Sequence, residues 1–382
     1  MGRKIVKLPI TNIHAGGPYT ASIVVGSPGK ALNVMLDTGS SAFALDRRRY
    51  SPANDRSAVP TRLLQGESFS TRKLSWFGPV VRTKIEIGGM LRRAKASVAV
   101  AELKPRTLFA AADGIVGLAY AIDDTASQMP GATWPPRYTQ SATEKTRRVR
   151  LTPLFTQLVR DGIVANKFAF YTKRSQVSLA TDEPEDDPDN KGLFILGGGE
   201  RNKALYTGAF RTARVLHDRH YHTNLKWIRV GATRPIRVPP PARMTKLPSN
   251  SVVDSGTNTL IFEQWLYEAI CDRFELVDRR LARDLRAGAT ASLPMARLDL
   301  RRWPTLTLAL EGDRSDAVLR IKPQAYWQVH APSRNRAILC LGGDNAGFGH
   351  TILGLPLLNG YFTLFDRSAG KGLGTVKFAA IR

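Results

Sequence analysis

Two cysteines in 382 residues are too few for a disulfide framework. No apolar run approaches the ~18 residues that a membrane-crossing helix needs. The opening Met1-Gly2-Arg3-Lys4-Ile5-Val6-Lys7 has basic residues with no apolar stretch behind them, so no signal peptide is read there, and Val6 breaks the myristoylation pattern. These absences predict a cytoplasmic protein whose Cys271 and Cys340 are free, buried thiols. The alternatives are a leader removed upstream and a Cys271–Cys340 bridge. Acids are scarce too: 32 Asp and Glu stand against 56 Lys and Arg, a formal charge of +24. With no RNA-binding aromatic motif, zinc-finger spacing or long basic tail, that excess reads as a solvated basic surface. Polyanion binding is conceivable on charge alone, with no motif behind it.

What the chain has is enough apolar matter for two domains: 43% hydrophobic residues and 23% charged. Short alternating runs such as Lys84-Ile85-Glu86-Ile87 before Gly88-Gly89, and Ser97-Val98-Ala99-Val100, are strand signals with turn punctuation. Helical signals are few. Thr152 caps a helix that starts at Pro153, carries Leu154, Phe155, Leu158 and Val159 on its apolar face and ends at Gly162; a second helix is expected over 264–274. Residues 124–150 and the acidic 182–190 read as surface loops, and Pro239-Pro240-Pro241 as a stiff one.

The strongest pattern is a repeat. Leu36-Asp37-Thr38-Gly39-Ser40-Ser41 returns as Val253-Asp254-Ser255-Gly256-Thr257, each copy ending an apolar strand-like run. A carboxylate, a hydroxyl residue and a Gly at a strand end form a tight loop in which backbone N–H groups reach the carboxylate. One copy is ordinary turn chemistry. Two copies in halves of similar size imply a duplicated lobe and a site shared between the lobes.

The chain resembles the pepsin-like aspartic proteases, in particular their bacterial, cytoplasmic branch without a pro-segment. Besides the two Asp loops, the resemblance rests on Asp113-Gly114-Ile115-Val116-Gly117-Leu118-Ala119-Tyr120, on Ile352-Leu353-Gly354 followed by 361–367, and on 19–28, 152–170 and Leu196-Gly197-Gly198. It implies a mostly β, bilobal fold of two duplicated β-barrel-like lobes, 1–212 and 213–382, with the cleft between them. It implies an aspartic endopeptidase in which Asp37 and Asp254 activate a water. Gly39 and Gly256 would donate to the carboxylates, Thr38 and Ser255 would bond across to the opposite loop, and Ser40 and Thr257 would support the outer oxygens. No cofactor and no metal is implied. The expected partners are a polypeptide substrate, hydrophobic around the cut bond, and pepstatin-type inhibitors, with the enzyme a monomer. Useful activity is expected at about pH 4 to 5, where the shared proton is kept but the basic excess does not yet unfold the chain. No long segment precedes Tyr19, so control by a pro-segment is not expected.

The sequence departs from the family at three places. Position 44, usually Trp, is Ala44. The flap stretch 66–82 contains no Tyr, and Trp76, followed by Phe77-Gly78, is the candidate flap residue, with a core position as the alternative. Cys340 falls on one half of a second-lobe disulfide, but the partner position falls near Arg297. Two metal readings are weaker: calcium in 182–190, where Pro184 and Pro188 break ligand spacing, and His217, His220 and His222, which read as structural. A catalytically silent relative is the rival reading, supported by the altered flap alone; no Asp or Gly of the site is lost.

Overall fold

The computed structural model describes residues 3–69, 74–89, 94–143, 146–240 and 249–382. Period-two patterning makes the strands: in Val6–Thr11, Val6, Leu8 and Ile10 point inward while Lys7 and Pro9 face out. In the first lobe, Thr20–Val25 runs antiparallel to Lys30–Asp37, which pairs in parallel with Gly114–Gly117 so that Asp37 sits opposite Gly117. The strand Phe43–Asp46 closes the other side of Gly114–Gly117, antiparallel. The second lobe repeats this threading. Ser251–Val253 pairs in parallel with Thr351–Leu353, and Leu260–Phe262 closes it antiparallel. Each catalytic-type loop therefore leaves a strand whose parallel neighbour carries the second apolar–Gly signature.

The two lobes share a floor. Val6–Thr11, Lys191–Leu196, Lys167–Tyr171, Tyr361–Asp366, Thr375–Ile381 and Tyr206–Arg214 follow one another as antiparallel neighbours within a 15-stranded sheet. The chain's last strands thus return to pair with first-lobe strands, and the expected boundary at 212 falls inside Tyr206–Arg214. Phe168 stacks on Phe365 with ring centroids 4.9 Å apart, and Phe155, Phe170, Phe194 and Tyr221 close around them. Such fixed aromatic contacts stiffen the base on which both Asp loops stand.

Helices are secondary. Gln264–Val277 buries Leu266, Ile270, Cys271 and Phe274 on one face, and Asp278 caps the helix Arg279–Gly288 by accepting from Arg280 N–H. Leu154–Arg160 buries Leu154, Phe155 and Leu158 as expected, but Pro153 is its N-cap, and the Thr152 hydroxyl accepts from Arg160 at 3.0 Å instead of capping. The stretch 124–150 is more than loop. Its short strands Thr125–Gln128 and Arg148–Arg150 pair with each other, and the first also joins Val59–Phe69. Strands of three or four residues are too short to show a period in sequence. In 182–190, Asp182 and Asp189 pair with Arg334 and Arg174, so arginines take up carboxylates that a cation would need. Pro241 lies outside the described residues. Cys271 and Cys340 are free and buried.

Candidate active site

Asp37 and Asp254 are brought together at the bottom of the cleft, 6% and 9% exposed. Their loops are near copies. Gly39 N–H donates to Asp37 Oδ1 at 2.7 Å and Ser40 Oγ to Oδ2 at 2.5 Å; Gly256 N–H donates to Asp254 Oδ1 at 2.8 Å and Thr257 Oγ1 to Oδ2 at 2.6 Å. The glycines are demanded by the opposite lobe. A Cβ on Gly39 would lie 2.7 Å from Asp254 Oδ1, and one on Gly256 would lie 2.2 Å from Asp37 Oδ1. Each loop is thus seated against the other's carboxylate, and any side chain there would force the pair apart.

Four hydrogen bonds lock the two loops to each other. Thr38 N–H donates to Ser255 Oγ (3.1 Å) and Ser255 N–H to Thr38 Oγ1 (2.8 Å). The same hydroxyls donate onward, Thr38 to the Val253 carbonyl (3.0 Å) and Ser255 to the Leu36 carbonyl (2.8 Å). All are buried, so each hydroxyl is both donor and acceptor with no water to replace it. Thr38, Gly39, Ser40, Ser255, Gly256 and Thr257 thus each bond to a carboxylate or to the opposite loop.

The electrostatics follow from this packing. Burial first, and the Asp254 carboxylate second, push the Asp37 carboxyl well above its ordinary range; bonds from Ser40 and Gly39 pull it partway back, and Glu67 adds a smaller push. Two like charges buried against each other cannot both ionise cheaply, so the neighbouring carboxylate favours a proton on Asp37.

Trp76 is not a cleft residue. It lies in the strand Leu74–Glu86 opposite Glu67, 1% exposed, in a cluster with Ala42, Ala44, Ala99, Ala101 and Phe109. The strand pairing continues past Trp76 to Ser68–Ser75 and Phe69–Leu74, so Trp76 stands within the strand on its inward side. Small residues, Ala44 among them, leave the room its indole fills. The segment 70–73 lies outside the described residues. Phe69 and Leu74, on either side of it, line the cleft cavity of about 380 Å³ together with Met35, Leu108, Phe109 and Ile115; Phe348 comes from the second lobe.

Three features carry contacts that the sequence does not show. Beside the Glu67–Trp76 strand pair sits an acid pair. Gln65 Nε2 donates to Asp124 Oδ1 at 2.6 Å, and Glu67 keeps a sequestered, unpartnered Oε2 beside the Trp76 indole N–H, which also closes no hydrogen bond of normal geometry. Burial raises both carboxyls to about 7, with Asp124 adding to Glu67 and the indole N–H opposing. Second, the three histidines read as structural gather beside Asp254 with a fourth, His350: His222 lies 5.5 Å from His220, 6.3 Å from His217 and 6.0 Å from His350, ring centroid to centroid. His222 Nδ1 meets Ser249 Oγ at 2.8 Å, and burial ahead of the other histidines' charge lowers its pKa to about 3. Third, Arg367 is buried below the Asp37 loop. It donates to Tyr221 Oη at 2.7 Å and to the Leu118 carbonyl, with its guanidinium 4.3 Å over the Tyr120 ring. Leu118 N–H in turn donates to the Asp37 carbonyl at 2.7 Å, so Arg367 is a positioning residue for that loop.

Comparison with known proteins agrees with this geometry. The model of the eukaryotic aspartyl protease family matches residues 18–380. Among curated proteins, the chain is similar to the beta-secretase of Strongylocentrotus purpuratus, 24% identical over 378 residues that cover 91% of this chain. The chain spans 64% of that relative's length. With both Asp loops, both parallel signatures and the shared floor in place, the chain belongs to the eukaryotic aspartyl protease family.

Proposed function

We propose that the protein is an aspartic endopeptidase in which Asp37 and Asp254 together activate a water against a peptide bond. The observation that carries this is the mutual seating of the two carboxylates, each within reach of the other's loop glycine and locked by reciprocal Thr38–Ser255 bonds. The charged member of the pair takes a proton from the water as its oxygen bonds to the carbonyl carbon. The protonated member donates to the carbonyl oxygen, and as the C–N bond breaks the nitrogen leaves with a proton from the pair. A raised Asp37 keeps the shared proton into mildly acidic pH, which supports an acidic optimum. The apolar wall of Met35, Phe69, Leu108, Phe109 and Ile115 supports hydrophobic side chains beside the cut bond.

The finer placement in the bacterial, cytoplasmic branch rests on the unbonded Cys271 and Cys340, which suit a reducing compartment. A monomer is the working unit on this reading, because one chain supplies both carboxylates. The test is digestion of a mixed peptide library by the full chain from pH 3 to 7, with and without pepstatin. Cleavage between hydrophobic residues, strongest on the acidic side and blocked by pepstatin, is expected. A folded protein that binds pepstatin but cuts nothing at any pH would be a silent relative, and the proposal would fall.

A further inference from the structure

The basic excess is not uniform in its chemistry. Arg47, Arg48 and Arg49, the densest run in sequence, are matched by Glu102 (2.7 Å), Asp46 (2.5 Å) and Asp113 (3.2 Å). On the outer face of the second lobe the opposite holds. Leu225–Val230, Leu306–Leu310 and Ala317–Ile321 are adjacent strands, and their register places Arg229, Thr307 and Arg320 in one row. Arg211, from Tyr206–Arg214, joins them around a cavity of about 450 Å³ that Thr305 and Val318 also line. Among the described residues no carboxylate pairs with Arg211, Arg229 or Arg320, and Arg229 Nε is buried with no hydrogen-bond partner.

This arrangement is costly unless something fills it. A guanidinium stays charged at any working pH, and a buried N–H without a partner forfeits its hydration. Only Arg229 is held this way, while Arg211 and Arg320 are exposed, but the three like charges around one cavity repel each other as well. We infer that the cavity lined by Arg211, Arg229, Arg320 and Thr307 binds a phosphate-type tetrahedral oxyanion. A carboxylate is satisfied by one bidentate arginine, whereas a dianionic tetrahedral group accepts from several guanidiniums and hydroxyls at once. The cavity exceeds what a phosphate needs, and Val318 gives it an apolar wall, so an ester carrying the phosphate also fits.

The test is binding of inorganic phosphate and of phosphoserine to the full chain at pH 7 and constant ionic strength, by calorimetry and by melting temperature. Saturable binding that raises the melting temperature is expected for the parent. R211Q/R229Q/R320Q should bind at least tenfold more weakly, while R279Q/R280Q/R314Q, which removes the same charge from exposed positions elsewhere, should stay within twofold. In phosphate-free buffer the first variant should melt no lower than the parent, because it loses repulsion and no partner. Tighter binding of phosphoserine would assign the ligand to an ester, and equal or weaker binding to the free ion. Non-saturating binding, or equal weakening in both triple variants, would reduce the site to diffuse charge and overturn the inference. Peptide cleavage should be unaffected in either variant, so this outcome is independent of the proposed protease activity.

Discussion

At the scale of single residues, the site depends on groups that are shaped by what lies opposite them. Thr38 and Ser255 each hold a buried N–H of the other lobe. Thr38→Val keeps the shape and removes the hydroxyl, stranding Ser255 N–H at a cost of about 1–3 kcal/mol. We expect T38V and S255A each to lower kcat/KM at least tenfold and to lower the melting temperature. The double variant should lose less than the two effects combined, because the pair acts as a unit; strict additivity in a double-mutant cycle would contradict this. Trp76 behaves differently. As a packed indole its truncation to Ala should cost about 3–5 kcal/mol of stability, while the specific activity of the folded fraction stays near that of the parent. A collapse of kcat/KM with an unchanged melting curve would return Trp76 to the substrate.

At the scale of elements, two groups of buried titratable residues oppose each other as pH changes. Glu67 and Asp124, raised to about 7 from ordinary values of 4.5 and 3.8, bind protons more tightly when folded. Their contribution is full below pH ~4 and is lost as pH rises toward 7. His222, lowered from 6.5 to about 3, contributes fully above 6.5 and loses its contribution as pH falls toward 3; burial lowers His220 and His350 in the same sense, with Asp123, Asp254 and Asp344 opposing. Stability of the parent should therefore vary little between pH 4.5 and 6.5. Glu67→Gln with Asp124→Asn should move the melting optimum toward neutral pH, and His222→Gln should move it toward acid, as thermal melts across pH 4 to 8 will read. An unchanged pH profile in both variants would contradict the assignment.

These elements also show what the sequence makes legible. The Asp loops are legible because carboxylate, hydroxyl and Gly are all demanded locally, and the demand occurs twice. Trp76 is not legible in the same way: an aromatic before Phe77-Gly78 reads as a flap residue from sequence, and only the register, with Trp76 opposite Glu67 within the strand pair, shows that it packs inward. The acid pair, the joining of His350 to the local histidines 217–222 and the Arg367 contact bring together residues far apart in the chain, so no local pattern marks these contacts.

At the scale of the whole molecule, the central feature is that neither lobe has a site of its own. The floor sheet takes strands from both ends of the chain, the loops are bonded reciprocally, and each carboxylate rests against the other lobe's glycine. The two free cysteines are buried in the second lobe, so the arrangement is held by packing and hydrogen bonds. The most direct test of this shared site is the rate of peptide cleavage by purified Asp37→Asn and Asp254→Asn, each shown by its melting curve to be folded. Asn keeps the size of Asp and many of its loop contacts but can neither take a proton from water nor share one. The account predicts that each variant falls below a few per cent of the parent rate, and that the double variant is no worse than either. Cleavage by either folded single variant at a substantial fraction of the parent rate would mean that one carboxylate suffices, and would contradict a site built between the lobes.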